Sequence, residues 1–310
     1  MDDTIGIDIS KDTLDIHRLS DGKHMQFGND AAGLKALMKW IGKAPARAVY
    51  EATGRYHRDL ELALTAADHG LVKVNPARAR RFAEAIGQGA KTDRADAEML
   101  ARMGSVLGLE AKPARTEDMH EIKELHVSRV ALVKDKTACQ NRIQAARNKL
   151  VLGQLRARQS QIERQITQID AELRRRVIAQ PALSRRYDIL KSIPGIGAIA
   201  AMALIVEMPE LGAMSGKEAA SLAGLAPITR QSGRWKGQSR IGGGRATVRT
   251  MLYMPALVAT RFNKSLGQTY LTLRNAGKPM KVAITAIMRK LLLLANALIR
   301  DDRKWADAAP

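Results

Sequence analysis

Cys139 is the only cysteine among 310 residues, so the chain forms no internal disulfide and no cysteine-ligated zinc site. Aromatic residues make up only 4%, which argues against a protein that grips single strands mainly by base stacking. No apolar run is long. Residues 291–299 form the richest one, well short of the roughly 20 residues that span a bilayer. The N-terminus, Met1-Asp2-Asp3, has neither a basic segment nor an apolar signal core. These features predict a cytoplasmic chain with no membrane partner. Acidic residues are also scarce: 31 Asp and Glu stand against 51 Lys and Arg, a net charge of +20. Such an excess requires a polyanionic partner, DNA or RNA, bound through its phosphates. Hydrophobic residues reach 45%, enough for two or three domains with real cores.

Residues 1–112 read as α/β. Strands over 5–9 and 14–19 are joined through Ser10-Lys11-Asp12-Thr13 as a hairpin, with a short third strand near 25–27. A helix over 32–41, a strand ending at Glu51 before a Thr53-Gly54 turn, a helix over 56–69 and a strand over 71–74 follow. Asn75 is a helix N-cap, with Pro76 in the favoured first position. The pattern predicts a mixed sheet with helical cover.

Four carboxylates stand out against that frame. Asp8 lies between Ile7 and Ile9 in an apolar strand, where an unpaired carboxylate costs several kcal/mol to bury. Glu51 ends its strand. Asp93 and Asp96 open a helix at i,i+3 spacing, on one face. Taken singly, Asp93 is explained as a cap and Asp96 as a first-turn surface charge. Taken together, the four are the oxygen ligands that Mg2+ wants for phosphoryl transfer in a nuclease of the RNase H type. A metal-only nuclease such as a Holliday-junction resolvase needs nothing more. An actin-like ATPase or sugar kinase shares the Gly6-Ile7-Asp8-Ile9-Ser10 hairpin but needs a second glycine-rich phosphate loop, which is missing. A non-enzymatic nucleic-acid-binding module leaves the acids unexplained.

Glycine nearly vanishes over residues 113–182. Leu155, Ile162, Ile166, Ile169 and Leu173 form an a/d seam, and a looser stripe (Met119, Ile122, Leu125, Leu132, Cys139, Ala146) precedes it. The spacing predicts a coiled coil, with Gly153 as the break and Arg174-Arg175-Arg176 as a solvated end. Residues 183–310 read as mostly helical. Ile193-Pro194-Gly195-Ile196-Gly197 is a helix-hairpin-helix-like turn, able to bring backbone N–H groups to a phosphate. Residues 219–225, 247–262 and 282–299 read as helices. From Ala226 through Thr250 six basic residues (Arg230, Arg234, Lys236, Arg240, Arg245, Arg249) have no acidic companion, so this loop or hairpin is the expected nucleic-acid contact.

Several stretches carry a family resemblance across nearly the whole chain. They are Gly6-Ile7-Asp8-Ile9-Ser10-Lys11, Glu51-Ala52-Thr53-Gly54, Lys91-Thr92-Asp93-Arg94-Ala95-Asp96-Ala97, Ile193 to Gly197, Gly224-Leu225-Ala226-Pro227 with Ser232-Gly233 and Gly237, and Gly277-Lys278-Pro279 through Arg289-Lys290-Leu291. The sequence resembles the DEDD insertion-sequence transposases of the "one-ten" family. The resemblance implies a RuvC-like catalytic domain (1–112), a coiled coil (113–182) that mediates dimerisation and a C-terminal transposase domain (183–310). It implies Asp8, Glu51, Asp93 and Asp96 as Mg2+ ligands and Ser232 as a nucleophile toward a DNA phosphate, with Ser239 the nearest competitor. It also implies a structured bridge RNA that pairs with target and donor DNA, and a homo-oligomer, either a dimer or a dimer of dimers.

Overall fold

The computed structural model describes residues 3–51, 54, 56–89, 92–111, 116–229 and 231–306, the side chains of Trp235 and Lys236 apart. Thr53, Lys91 and Arg230 therefore lie outside the described residues. The chain divides into two compact units at Thr116 and Glu117.

In the first unit, β1 (Asp3–Ile9) and β2 (Thr13–Arg18) form an antiparallel hairpin that β3 (His24–Gly28) extends. Ser10 closes the turn, its Oγ accepting from Thr13 N at 2.8 Å and donating to Thr13 O at 2.9 Å. The helix α1 (Ala31–Ile41) leads to β4 (Ala46–Glu51), and α2 (Arg58–Ala66) to β5 (Gly70–Val74). Both strands run parallel to their inner neighbour, which requires such crossovers. The sheet order is β3-β2-β1-β4-β5, with β1 central. Next come α3 (Pro76–Ala85) and α4 (Asp93–Val106). Local chemistry sets the helix starts: Asp30, Asn75 and Thr92 each accept a first-turn N–H.

Strand alternation sorts the side chains onto two faces. Ile5, Ile7, Leu14, Ile16, Ala48 and Tyr50 bury against Leu37 of α1 and Leu60 and Leu64 of α2. Each large aliphatic side chain buried this way contributes about 2 kcal/mol. Val49, Val72 and Val74 meet Ala79 of α3 and Met99, Leu100 and Met103 of α4 on the opposite face.

The second unit opens with two long helices, α5 (Glu117–Ala145) and α6 (Lys149–Ala179), which pack antiparallel. Their break is at residues 146–148, where Asn148 caps α6, and not at Gly153. Gly153 sits inside α6, because an Asn cap specifies a helix start more strongly than a lone glycine specifies a stop. Ile162 and Leu173 are buried within the chain, while Leu155, Ile166 and Ile169 are half-buried. Ion pairs Arg129–Asp170, Lys136–Glu163 and Arg176–Glu121 staple the pair along its length.

Ile122, Leu173 and Val177 continue into a large helical core. It is built from α7 (Pro181–Ser192), α8 (Ala198–Glu207), α9 (Gly216–Leu222), α10 (Ala246–Phe262), α11 (Lys264–Asn275) and α12 (Met280–Arg300). The last helix runs 21 residues, longer than its apolar run 291–299 suggests, and by length and composition alone it suffices to cross a membrane. Half of that span is buried, with Ile284, Ile287, Leu291, Leu292 and Leu298 in the core. Its apolarity is therefore that of a core helix. Between α9 and α10 lie four two-residue strands: β6 (Pro227–Ile228), β7 (Gln231–Ser232), β8 (Trp235–Lys236) and β9 (Arg240–Ile241). They pair as β6 with β9 and β7 with β8.

Candidate active site

Thr4, Gly6 and Asp8 alternate onto the face of β1 that α4 covers. At Gly6 the contact is backbone to backbone: an added Cβ would stand 1.9 Å from Ala97 O and 2.5 Å from Ala101 N. At Gly104 an added Cβ would stand 2.4 Å from Val49 Cγ2 and 3.2 Å from Thr4 Cγ2. So α4 runs opposite to β1, its C-terminal part over Thr4 and its middle over Gly6. Its first turn, with Asp93 and Asp96, therefore lies toward Asp8. A glycine strand position and the small Ala97 and Ala101 bring the acids together.

Electrostatics reports the same convergence. Asp8 is half-buried, and its carboxyl is pushed up to about 6 by burial first, then by the negative charges of Asp93, Asp96 and Asp15. Asp15 is an acid that sequence reasoning missed. It pairs across the hairpin with Asp8, is 5% exposed, and accepts from Gln26 Nε2 at 3.0 Å with His24 Nε2 at 3.3 Å. The signal was available: a turn over Ser10 to Thr13 obliges Asp15 to face Asp8. His17, on the same face, is held below the usual imidazole range by burial.

Glu51 ends β4 one residue past the pair Ile7 and Tyr50, at the same sheet end as Asp8, but its charge is not among those that raise the Asp8 carboxyl. On the reverse face Tyr50 Oη donates to the buried Glu61 Oε1 at 2.5 Å, and Lys73 Nζ reaches the same oxygen at 2.9 Å. Burial pushes the Glu61 carboxyl up, but these two donors outweigh it and hold the group below its ordinary value. This network fixes the end of β4 next to Glu51.

Among the described residues no group of three or more His, Cys, Asp or Glu is placed so that it could hold a metal ion as it stands. The donor set still fits a hard divalent cation. It is all oxygen, shares one sheet end, and carries a mutual repulsion that a cation would relieve. Mg2+ is commonly held by one or two carboxylates with substrate phosphates supplying the rest.

The second unit holds the basic stretch. Gly233, at φ 54°, occupies the left-handed region at the first central position of the turn that pairs Ser232 with Trp235. Ser232 is exposed, and its hydroxyl has no hydrogen-bond partner among the described residues. The Ser239 hydroxyl is tied to Thr229 Oγ1 at 2.9 Å. Arg234 and Arg240 are exposed. The other two described arginines are engaged internally. Arg245 makes a bidentate pair with Glu210 at 2.6 and 2.7 Å, and Arg249 donates to Gly243 O and Ala223 O. Gly224 admits this contact: a Cβ there would stand 2.0 Å from Arg249 Nη1. In the hairpin-like turn the glycines divide the work. Gly195 (φ 104°) packs against Pro255 O and Ala259 of α10, while exposed Gly197 caps α8 with no side-chain bond.

A mixed five-stranded sheet in this order, with carboxylates gathered at the end of its central strand under a helix's first turn, defines a RuvC-like domain of the DEDD type. Residues 5–150 match a family model described as a transposase, of the DEDD IS110 kind, and residues 187–271 match the transposase model of the IS116/IS110/IS902 family. The chain is 31% identical to the pilin gene-inverting protein of Moraxella bovis over 97% of both chains, and equally so to that of Moraxella lacunata. It is 30% identical to an uncharacterized 44.8 kDa protein of insertion element IS116 from Streptomyces clavuligerus, over 40% of this chain and 32% of that one. The chain belongs to the IS110 family of transposases, enzymes that act on DNA.

Proposed function

We propose that this transposase cuts and rejoins DNA with Ser232 as nucleophile, at sites chosen by a bridge RNA. The carrying observation is the coupling of Asp8 to Asp93 and Asp96, which supports Asp8, Glu51, Asp93 and Asp96 as the holders of Mg2+. A bound divalent ion supplies Lewis-acid charge to the phosphate under attack. Ser232 Oγ attacks phosphorus, one deoxyribose oxygen leaves with a proton, and a phosphoserine link stores the broken bond for rejoining without ATP. The free Ser232 hydroxyl, set against the occupied Ser239, supports that choice. The name of the gene-inverting relatives fits the reading, since inversion requires every cut end to be rejoined.

Arg230, Arg234, Lys236 and Arg240 grip the DNA backbone, while Arg245 and Arg249 hold the loop's base. Site choice comes from base pairing with the RNA. The protein works in the cytoplasm as a homo-oligomer, with the helical pair α5–α6 forming a coiled coil whose half-buried Ile166 faces a second copy.

The test is a reaction quenched in denaturant and searched by mass spectrometry for a DNA-linked peptide. The expected adduct is on Ser232, and Ser232→Ala should bind but not cleave. Efficient cleavage by Ser232→Ala would transfer the chemistry to metal-bound water, as in a resolvase. Reprogrammed RNA loops should redirect insertion, and an unchanged target would remove the RNA from site choice.

A further inference from the structure

The helix-hairpin-helix-like turn borders a cavity of about 320 Å³ between α5, α6, α7 and α8. Its walls are apolar: Leu173, Tyr187, Ile199 and Met202. Its rim is basic. Within Arg174-Arg175-Arg176, the last two arginines are taken by Glu172 and Glu121. Arg174, which lines the cavity, has no carboxylate partner among the described residues. Lys191 also lines it and lies only over the Tyr187 ring, at 5.6 Å.

Two features point to an occupant. Ala198 and Ile199 open α8 at the cavity mouth, and their N–H groups belong to a first turn whose cap, Gly197, offers no side chain. Ile199 is 56% exposed there, an apolar side chain left in water beside two cations. Deeper in, His126 is 5% exposed and lines the cavity, its Nε2 standing 3.4 Å from the Glu207 carboxylate, which Lys123 also reaches. Apolar walls and a cationic rim suit one chemistry: a flat ring carrying an anion. The volume is at the small end of the roughly 300–1,000 Å³ typical of ligand pockets. It excludes a duplex.

We infer that this cavity receives one unpaired nucleotide of a nucleic-acid strand. The base enters between Tyr187, Ile199 and Met202, and its phosphates rest on Arg174, Lys191 and the first turn of α8. The inference rests on the reading of this chain as an enzyme that handles nucleic acid, but not on Ser232 or on RNA guidance. Unpaired nucleotides arise both in DNA strands opened for exchange and in RNA loops, and the two sources share this chemistry.

The experiment uses the full-length protein with 12-nucleotide strands carrying a single 4-thiothymidine (DNA) or 4-thiouridine (RNA), photocrosslinked and mapped by mass spectrometry. Crosslinks should fall in the peptide 187–202, and the strand type that gives them identifies the source. Two variants accompany it. Ala171→Trp, on the exposed surface of α6, fills the slot, and Arg174→Gln with Lys191→Gln strips the rim. Each should weaken single-strand binding by about tenfold, the order expected for one lost base contact. Ala171→Trp should leave duplex binding within twofold. The double variant should also flatten the salt dependence by about 0.7 per lost phosphate contact. Crosslinks mapping elsewhere, or single-strand and duplex affinity falling together in Ala171→Trp, would overturn the nucleotide site. Wild-type protein that failed to bind duplex at all would instead undermine the broader recombinase reading.

Discussion

Gly6→Ala is the substitution on which the site's construction turns. The new methyl would sit 1.9 Å from Ala97 O and 2.5 Å from Ala101 N, both backbone atoms of α4. No rotamer change relieves a backbone clash, so α4 must retreat by about 1 Å or more. Overpacking in a dense core costs roughly 1–3 kcal/mol, and two backbone contacts put this case near 3. Hydrogen exchange reads that locally. Amides of β1 and α4 should lose about two orders of magnitude of protection, while those of α7 to α12 stay unchanged. The same displacement carries Asp93 and Asp96 away from Asp8, and misplacement by about 1 Å in an active site costs on the order of 100-fold in rate. Gly104→Ala is the control, because its close atoms are the Val49 and Thr4 methyls, which can yield; about 1 kcal/mol is expected there. A Gly6→Ala protein with wild-type exchange in β1 and strand cleavage within twofold of wild type would refute the claim that this glycine sets the acids together.

Asp8 stands above its ordinary value, so its contribution to stability is full below about pH 4 and is lost as pH rises through about 6. Asp8→Asn should therefore melt higher than wild type at pH 8 and equally at pH 4, while losing cleavage; a variant that melts lower at pH 8 would contradict the repulsion. Arg245→Ala should destabilise the second unit by about 2 kcal/mol, since it removes the bidentate pair with Glu210 and the bond to Glu207 O. Arg240→Ala should leave melting unchanged and weaken DNA binding with a shallower salt slope; the opposite pattern would exchange their roles. Ile166→Glu should yield monomers that no longer recombine, and a dimer surviving it would move the subunit contact off α6.

Much of this architecture is legible in the sequence. The alternation in β1, the Asn75-Pro76 start and the i,i+3 acids each reflect a rule that acts within a few residues, and each appears where those rules put it. What escaped depended on distant partners. Asp15 needed the hairpin register to be followed two residues further. Arg245 and Arg249 looked like their neighbours in the basic stretch, and only Glu210 and Gly243, brought close by α8 to α10, distinguish them. Gly153 misled because a glycine's cost in a helix is small beside the cap and packing that extend α6 through it.

The pinned base of the basic hairpin has a mechanical corollary. Arg245 and Arg249 fasten one end, and β6 pairs with β9 just beyond it. Ser232 lies five residues beyond Pro227, on the second of two short strands that leave that base, so at about 3.3 Å per residue the chain can carry it at most roughly 17 Å away. Ser232 is thus carried on a tether of bounded reach, with its base pinned to the helical core. Under the role proposed for Ser232, lengthening the tether by a strand pair, or shortening it by one, would change which phosphate along a DNA backbone the serine can meet, without touching any residue proposed to bind or react.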